Sequence, residues 1–414
     1  FTADVEFDVL DTADNVAAEV TGSNGAGDLD EANKVVVSGG DVTTAEAAAI
    51  QQISEYNDSA SDYEISDNAA AVISAGVNVI ENDGVTLVEV LDDATAAQGV
   101  SLNAYSANVD FDVTDTADAI AASSGSLGKA VDVDAISGMV DVAGAQAIQG
   151  LTGYDANESS YSIDDNSANI ISAGDGVLTN GNIQVDVTNT VGASDGAILA
   201  SFTADIDFDV ADTAANIAAQ VASGVAQGSG PDSLDEANSV VVESGAAVSA
   251  EDAHNIQHIS GYNDSASDYD ISDTAAALIS AGDHVLNVSG VDVVTVNDGA
   301  TSAQNGAILA SFTADVEFDV ADDVGDLKAV MGTDDPASYL TEANSITVDN
   351  GGGDRIVQAN DGAILASFTA DVDFDVVDDA NAVAAEVTGT GNSLGDLNEA
   401  ADVVVSGGDV TTAE

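Results

Sequence analysis

The sequence predicts an α/β fold: a parallel solenoid of about 16 coils, each built from one strand and one short helix. Three observations carry this reading. A strand-like segment recurs at long intervals, and a shorter strand-and-helix module recurs inside each interval. The stretches after the strands are Ala-rich, which disfavours tandem β-sandwich domains, the first alternative. An all-β parallel β-helix is the second.

The long repeat is marked by Asp4-Val-Glu-Phe-Asp-Val9, which returns at Val109 to Val113, Asp205 to Val210, Asp315 to Val320 and Asp371 to Val376. Aligned on Val5, Val109, Ile206, Val316 and Val372, the steps are 104, 97, 110 and 56 residues. The units are therefore 1–107, 108–204, 205–314, a shortened 315–370, and 371–414 as the start of a fifth. A second landmark, Asp195-Gly-Ala-Ile-Leu-Ala-Ser-Phe202, recurs at Asn305 to Phe312 and Asp361 to Phe368. Both ends fall inside a repeat, so the 414 residues read as a window on a longer array.

Within the first unit, strand-like segments begin at Val5, Val35, Tyr63, Val85 and Val109, spaced 30, 28, 22 and 24 residues apart. Most are followed by a polar residue and an Ala-rich run, as in Asp11-Thr-Ala-Asp-Asn-Val, Thr43-Thr-Ala-Glu-Ala-Ala and Asp67-Asn-Ala-Ala-Ala-Val. A side-chain oxygen placed there satisfies the free N–H groups of a helix start. In Asp4 to Val9 the alternation assigns Val5, Phe7 and Val9 to the core and Asp4, Glu6 and Asp8 to the outer face. The pairs Tyr56/Tyr63, Tyr154/Tyr161 and Tyr262/Tyr269 keep a spacing of seven and read as packing residues.

Charge narrows the partners. Asp plus Glu number 75 against 4 Lys plus Arg, a net −71. Nucleic acid requires a basic footprint that four scattered cations cannot supply, and no apolar run is long enough to insert into a membrane. Zero cysteine excludes disulfides and thiolate metal sites. With 45% hydrophobic residues the chain can bury a core, so a disordered acidic tail is not expected. Coils stacked about 4.8 Å apart would carry about one charge per ångström, denser than the one per about 1.7 Å of duplex DNA. Divalent cations are the expected partners, Ca²⁺ first, because a hard cation collects roughly six to eight oxygens.

Two sets of carboxylates are candidate ligands. The turn Asn57-Asp-Ser-Ala-Ser-Asp62-Tyr-Glu64 offers Asp58, Asp62 and Glu64; its repeat offers Asp264, Asp268 and Asp270, and the middle unit has Asp155 and Glu158. The second set, Asp8 with Asp11 and Asp209 with Asp212, joins a strand end to a helix start, where N-capping competes with metal binding. His254 and His258 stand four apart on an expected helix, with His284 downstream. The first unit has Ala48 and Gln52 in the places of the pair, so the module does not require it and no transition-metal site is expected. Gly192-Ala-Ser194-Asp-Gly196 and Gly391-Asn-Ser393-Leu-Gly395 match the nucleophile-elbow string, but each is expected before a strand, whereas an elbow follows one. No catalytic residue is expected, and the chain reads as not an enzyme.

At Val9-Leu-Asp-Thr-Ala-Asp-Asn-Val16, Val113-Thr-Asp-Thr-Ala, Val210-Ala-Asp-Thr-Ala-Ala-Asn-Ile217 and Ile271-Ser-Asp-Thr-Ala, the chain resembles the tandem repeats of very large secreted bacterial surface proteins of the hemolysin-type calcium-binding adhesin kind. It lacks their Gly-Gly-x-Gly-x-Asp nonapeptide. The resemblance implies an extracellular, cell-surface, non-enzymatic protein. Together with the charge, this predicts a structural repeat segment of an acidic fibre, surface layer or adhesin stalk. Ca²⁺ or other cations would stabilise it, and it would self-associate end to end or laterally. The alternative is an adhesin module that binds glycans or a partner; an enzyme on a β-helical scaffold is disfavoured.

Overall fold

The computed structural model describes residues 6–22, 29–227, 234–331, 340, 342–366, 372–387 and 397–407. The expected strand start at Val5, the residues around Phe368 and Asp371, the string from Gly391 to Gly395 and everything after Gly407 lie outside the described residues.

Among the described residues the chain forms 22 strands and 18 α-helices. Every paired strand is parallel to its neighbours, which overturns the β-sandwich alternative, and the helices overturn the all-β one. The α/β class stands. The solenoid of about 16 coils does not: the strands fall into seven separate parallel sheets of two to five strands. The chain divides into two compact units, one of residues 1–189 with 202–207 and one of 190–201 with 208–414.

In the first unit, Asp8–Asp11, Lys34–Val42, Asp62–Asp67, Val85–Val90 and Val109–Asp110 form a five-stranded sheet in sequence order. Asp112–Thr116 then pairs with Asp132–Ser137. Met139–Val140, Ser160–Asp165, Asn182–Val187 and Ile206–Asp207 make a four-stranded sheet. The second unit has a two-stranded sheet, Asp209–Thr213 with Ser239–Glu243. Three three-stranded sheets follow, opened by Tyr269–Asp273, Asp319–Asp322 and Ile356–Val357.

The sheets break at the phenylalanine of the long repeat. The expected strand Val109 to Val113 is two strands, with Phe111 between them. Val109 pairs with Val88, and the residues from Asp112 onward pair with Asp132 and its successors. Val113 also bridges Ala94. From Val88 to Ala94 the chain takes six steps, whereas from Val109 to Val113 it takes four. The flanking loop Leu91 to Asp93 therefore parts the two ladders. The same division occurs at Phe208, Phe318 and Phe374. The facing pattern survives in the later copies, where Phe111, Phe208 and Phe318 are 2% exposed and Phe374 is fully buried, but not in the first, where Phe7 is 37% exposed and Val9 half-buried.

Short helices follow most strands for the reasons read from the sequence. Thr43 and Thr95 accept from the third helical N–H while Glu46 and Gln98 reach back to the cap N–H, a capping box at each helix. The landmark beginning Asp195-Gly is a packing device. Gly196 lies in the helix Ala193–Leu199, and a Cβ there would stand 2.8 Å from Val210 Cγ2 and 3.2 Å from Leu234 Cδ2. Gly306 and Gly362 meet Val320 with Phe318 and Val376 with Phe374 in the same way. Gly99 meets Leu127 and Val113. The glycine lets the helix approach the sheet at the residue where the strand divides.

Gly196→Ala removes a helix-interior glycine, a gain of about 1 kcal/mol in helix propensity. Overpacking against Val210 and Leu234 outweighs it, at about 1–3 kcal/mol. Urea denaturation is expected to give a lower midpoint for the alanine variant; a raised midpoint would show that the glycine is not a packing requirement.

Candidate cation-binding carboxylates

Each strand-end aspartate has a defined role. In Asp212, Oδ1 accepts the N–H of Thr213 at 2.8 Å, and Oδ2 accepts the N–H of Ala193, the first residue of the preceding helix, at 2.9 Å. Asp115 does the same with Thr116 and Ala96, Asp165 with Asn166 and Val142, and Asp273 with Thr274 and Ala250. Asp322 and Asp378 repeat the pattern with Ala303 and Ala359. Asp67 adds the Thr44 hydroxyl at 2.7 Å. One carboxylate thus joins two successive modules, 19 or 23 residues apart in sequence.

This corrects the capping reading. Asp11 and Asp115 are not the N-caps of their own helices; Thr12 and Thr116 occupy those positions. The carboxylates of Asp115 and Asp212 instead serve the helix of the module before. Burial raises the pKa of Asp67, Asp165 and Asp212, but the hydrogen bonds they accept outweigh it, and all three titrate below the ordinary range. Exposed Asp11 is lowered by Asn15 and the Thr12 N–H. A hard cation at Asp212 would have to compete with the donors already on its two oxygens. Asp8 and Asp209 are exposed at the first positions of the strands that carry Asp11 and Asp212 and complete no carboxylate trio with them.

The turn set is likewise occupied. The Asn57 side chain accepts the Ala60 N–H, Ser59 Oγ donates to Asn57 Oδ1, and Asp58 Oδ1 accepts the Ser59 N–H. Asp62 Oδ1 accepts the Gly39 N–H at 3.0 Å. Buried Ser61 accepts the Val37 N–H, as Ser159 does for Ala135 and Ser267 for Val242. Exposed Glu64 and Asp268, half-buried Asp270 and the Asp264 turn do not converge. Among the described residues one carboxylate trio has ligand oxygens within 4.8 Å of one another, Asp322, Asp323 and Asp326. Both oxygens of Asp322 in that trio already accept N–H groups. The fit to Ca²⁺ at the sequence-nominated positions is therefore poor.

The tyrosines are set inside. Tyr63, Tyr161 and Tyr269 are buried, and each hydroxyl accepts 2.8 Å from Gln51, Gln149 or Gln257. Each glutamine also donates to a backbone carbonyl 28 residues on, at Val79, Val177 and Val285.

Uncompensated carboxylates lie elsewhere, on the outer face of the sheets. Asp164, Asp186 and Asp207 stand directly opposite one another on three adjacent strands. Like charges so placed repel. Burial, then the charges of Asp164 and Asp207, raise the Asp186 pKa, and Asp164 Oδ1 is a buried oxygen with no hydrogen-bond partner. The corresponding positions hold Ser66, Glu89 and Asp110 in the first copy and Ser272, Thr295 and Glu317 in the third, so hydroxyls dilute the charge there. A second crowded group surrounds Asp134. Burial, then Asp132, Glu158, Asp155 and Asp93, push it up to about 6. The nominated pair Asp155 and Glu158 thus sits beside carboxylates that sequence spacing did not single out. The available signal was the parallel register, which places residues about one module apart side by side.

Gly192 to Gly196 opens the helix Ala193–Leu199 rather than preceding a strand, and Gly196 is accounted for by packing. Among the described residues no helix is long and apolar enough to cross a membrane. No protein-family model, curated protein or solved structure matches the chain.

Two outcomes follow from these carboxylates. Asp212→Ala removes a cap from the preceding helix and is expected to cost about 1 kcal/mol in urea denaturation, whereas an unchanged midpoint would show that the bridge contributes nothing. Asp134 has a folded pKa above its unfolded value near 3.9. Its protonated form favours the fold, and that contribution is lost as pH rises from about 4 through 6. Asp134→Asn is expected to raise Tm at pH 7 and leave it nearly unchanged at pH 4; equal shifts at both pH values would contradict the repulsion.

Proposed function

We propose that the chain is a structural repeat segment of an extracellular acidic fibre, surface layer or adhesin stalk whose stability depends on associated cations, Ca²⁺ first. The observation that carries this reading is the stack Asp164, Asp186 and Asp207, three carboxylates in register on adjacent strands with no cationic side chain paired to them among the described residues. The described ion pairs are Lys328 with Asp361 at 2.6 Å and Arg355 with Asp373 and Asp375. A net charge of −71 is thus left to mobile cations, which offset the self-repulsion that opposes a compact state. Repetition supports a structural role, because bridging aspartates, capped helices and buried glutamine–tyrosine pairs recur copy after copy. Burial of Tyr63, Tyr161 and Tyr269 removes these rings from any sugar-binding platform.

The test is thermal unfolding at low ionic strength with and without a chelator. Chelation is expected to lower Tm, and Ca²⁺ to restore it at a concentration where equal ionic strength of a monovalent salt does not. A Tm insensitive to chelator and to ionic strength would remove the basis for a cation-dependent fibre.

A further inference from the structure

All 3 histidines of the chain meet at one place in the third copy. His254 belongs to the helix Ala250–Gln257, His258 caps its C-terminus, and His284 lies in the short helix Asp283–Leu286 of the next module. The His254 and His258 ring centroids are 4.2 Å apart, and those of His254 and His284 are 6.4 Å apart. His254 and His284 line a cleft of about 580 Å³ together with Glu251 and Asp273.

We propose that His254, His258 and His284 form a binding site for a borderline transition-metal ion such as Zn²⁺. The spacing of four places two imidazoles on one helix face, the arrangement by which a helix offers two nitrogens to one metal. Parallel stacking of the modules brings the third imidazole beside them. The Nδ1 of His258 lies 2.7 Å from the His254 carbonyl oxygen, which can only accept, so in the neutral ring Nδ1 carries the proton and the lone pair is on Nε2. A backbone carbonyl on one ring nitrogen is how ligating histidines are oriented. The three rings do not bring their nitrogens within 4.8 Å of one another, so the proposal requires the exposed His284 side chain to turn toward the pair when the metal binds. Imidazole selects Zn²⁺, Cu²⁺ or Ni²⁺ over Ca²⁺, so this site is chemically separate from the carboxylates. Glu251, one turn before His254 and lining the same cleft, is available as an oxygen ligand.

The internal repeat separates a site from a packing need. The places of His254, His258 and His284 hold Ala48, Gln52 and Asn78 in the first copy and Gln146, Gly150 and Gly176 in the second. Three imidazoles therefore occur together in one copy, on a framework that folds without them. Sequence spacing pairs only His254 and His258; parallel stacking of the modules brings in His284, 30 residues from the first.

The experiment is Zn²⁺ titration of the full chain by calorimetry in excess Ca²⁺, which competes for any carboxylate binding. Wild type is expected to bind one Zn²⁺ stoichiometrically. His284→Asn and His254→Ala, each restoring a residue of the first copy, are expected to weaken binding at least about tenfold, with circular dichroism confirming the fold. Cu²⁺ at the same site is expected to show nitrogen hyperfine coupling in its electron paramagnetic resonance spectrum. Absence of a saturable site in excess Ca²⁺, unchanged Zn²⁺ affinity in His284→Asn, or a copper spectrum without nitrogen coupling would each overturn the proposal.

Discussion

The bridging aspartate holds the architecture together. A helix start leaves N–H groups that need acceptors, and a short helix has few residues over which to dilute that need. Here the acceptor comes from the strand end of the following module, so the local requirement of one helix is met only when its neighbour is in place. Asp67, Asp115, Asp165, Asp212, Asp273, Asp322 and Asp378 act alike, with one oxygen turned to the chain's own next N–H and one to the preceding helix. Buried Ser61, Ser159 and Ser267 add a second tie, each hydroxyl accepting a strand N–H, with Ser61 and Ser267 also donating to the Asn57 and Asn263 carbonyls. Folding of one module and docking to the next are therefore a single event.

That arrangement divides the acidic residues into two populations. Asp67, Asp165 and Asp212 at strand ends are held ionised by the hydrogen bonds they accept and stabilise the fold above about pH 4. Those on the outer face, such as Asp186 and Asp134, are crowded by their own kind and favour the fold when protonated. The same composition thus contributes in opposite directions according to position, and net charge alone does not reveal the balance.

Much of this was legible in the sequence. Strand-like segments, capped Ala-rich helices and parallel pairing follow from local pattern; the facing read at Val5, Phe7 and Val9 holds at the repeated Val109, Phe111 and Val113 but not at exposed Phe7. What was not legible is where ladders end. The alternation across Phe111 reads as one strand, because both halves keep the same facing while their partners change. Nor could local pattern show that Asp212 caps a helix 19 residues earlier in the chain, since capping rules concern the helix that follows. The acidic turn at Asn57 looked like a ligand loop because Asn, Asp and Ser serve turns and cations equally well. Register across modules decides between those roles, and register is a long-range property.

The bridge also governs how the chain can vary in length. Because each bridging carboxylate must reach the helix of the module before it, removing part of a module would strand an acceptor on one side and bare N–H groups on the other. Loss of whole modules leaves the bridging scheme intact. The shortened 56-residue step fits this rule: Ala303 with Asp322 and Ala359 with Asp378 keep the same 19-residue reach on either side of it. Growth and shrinkage of such a chain are quantised.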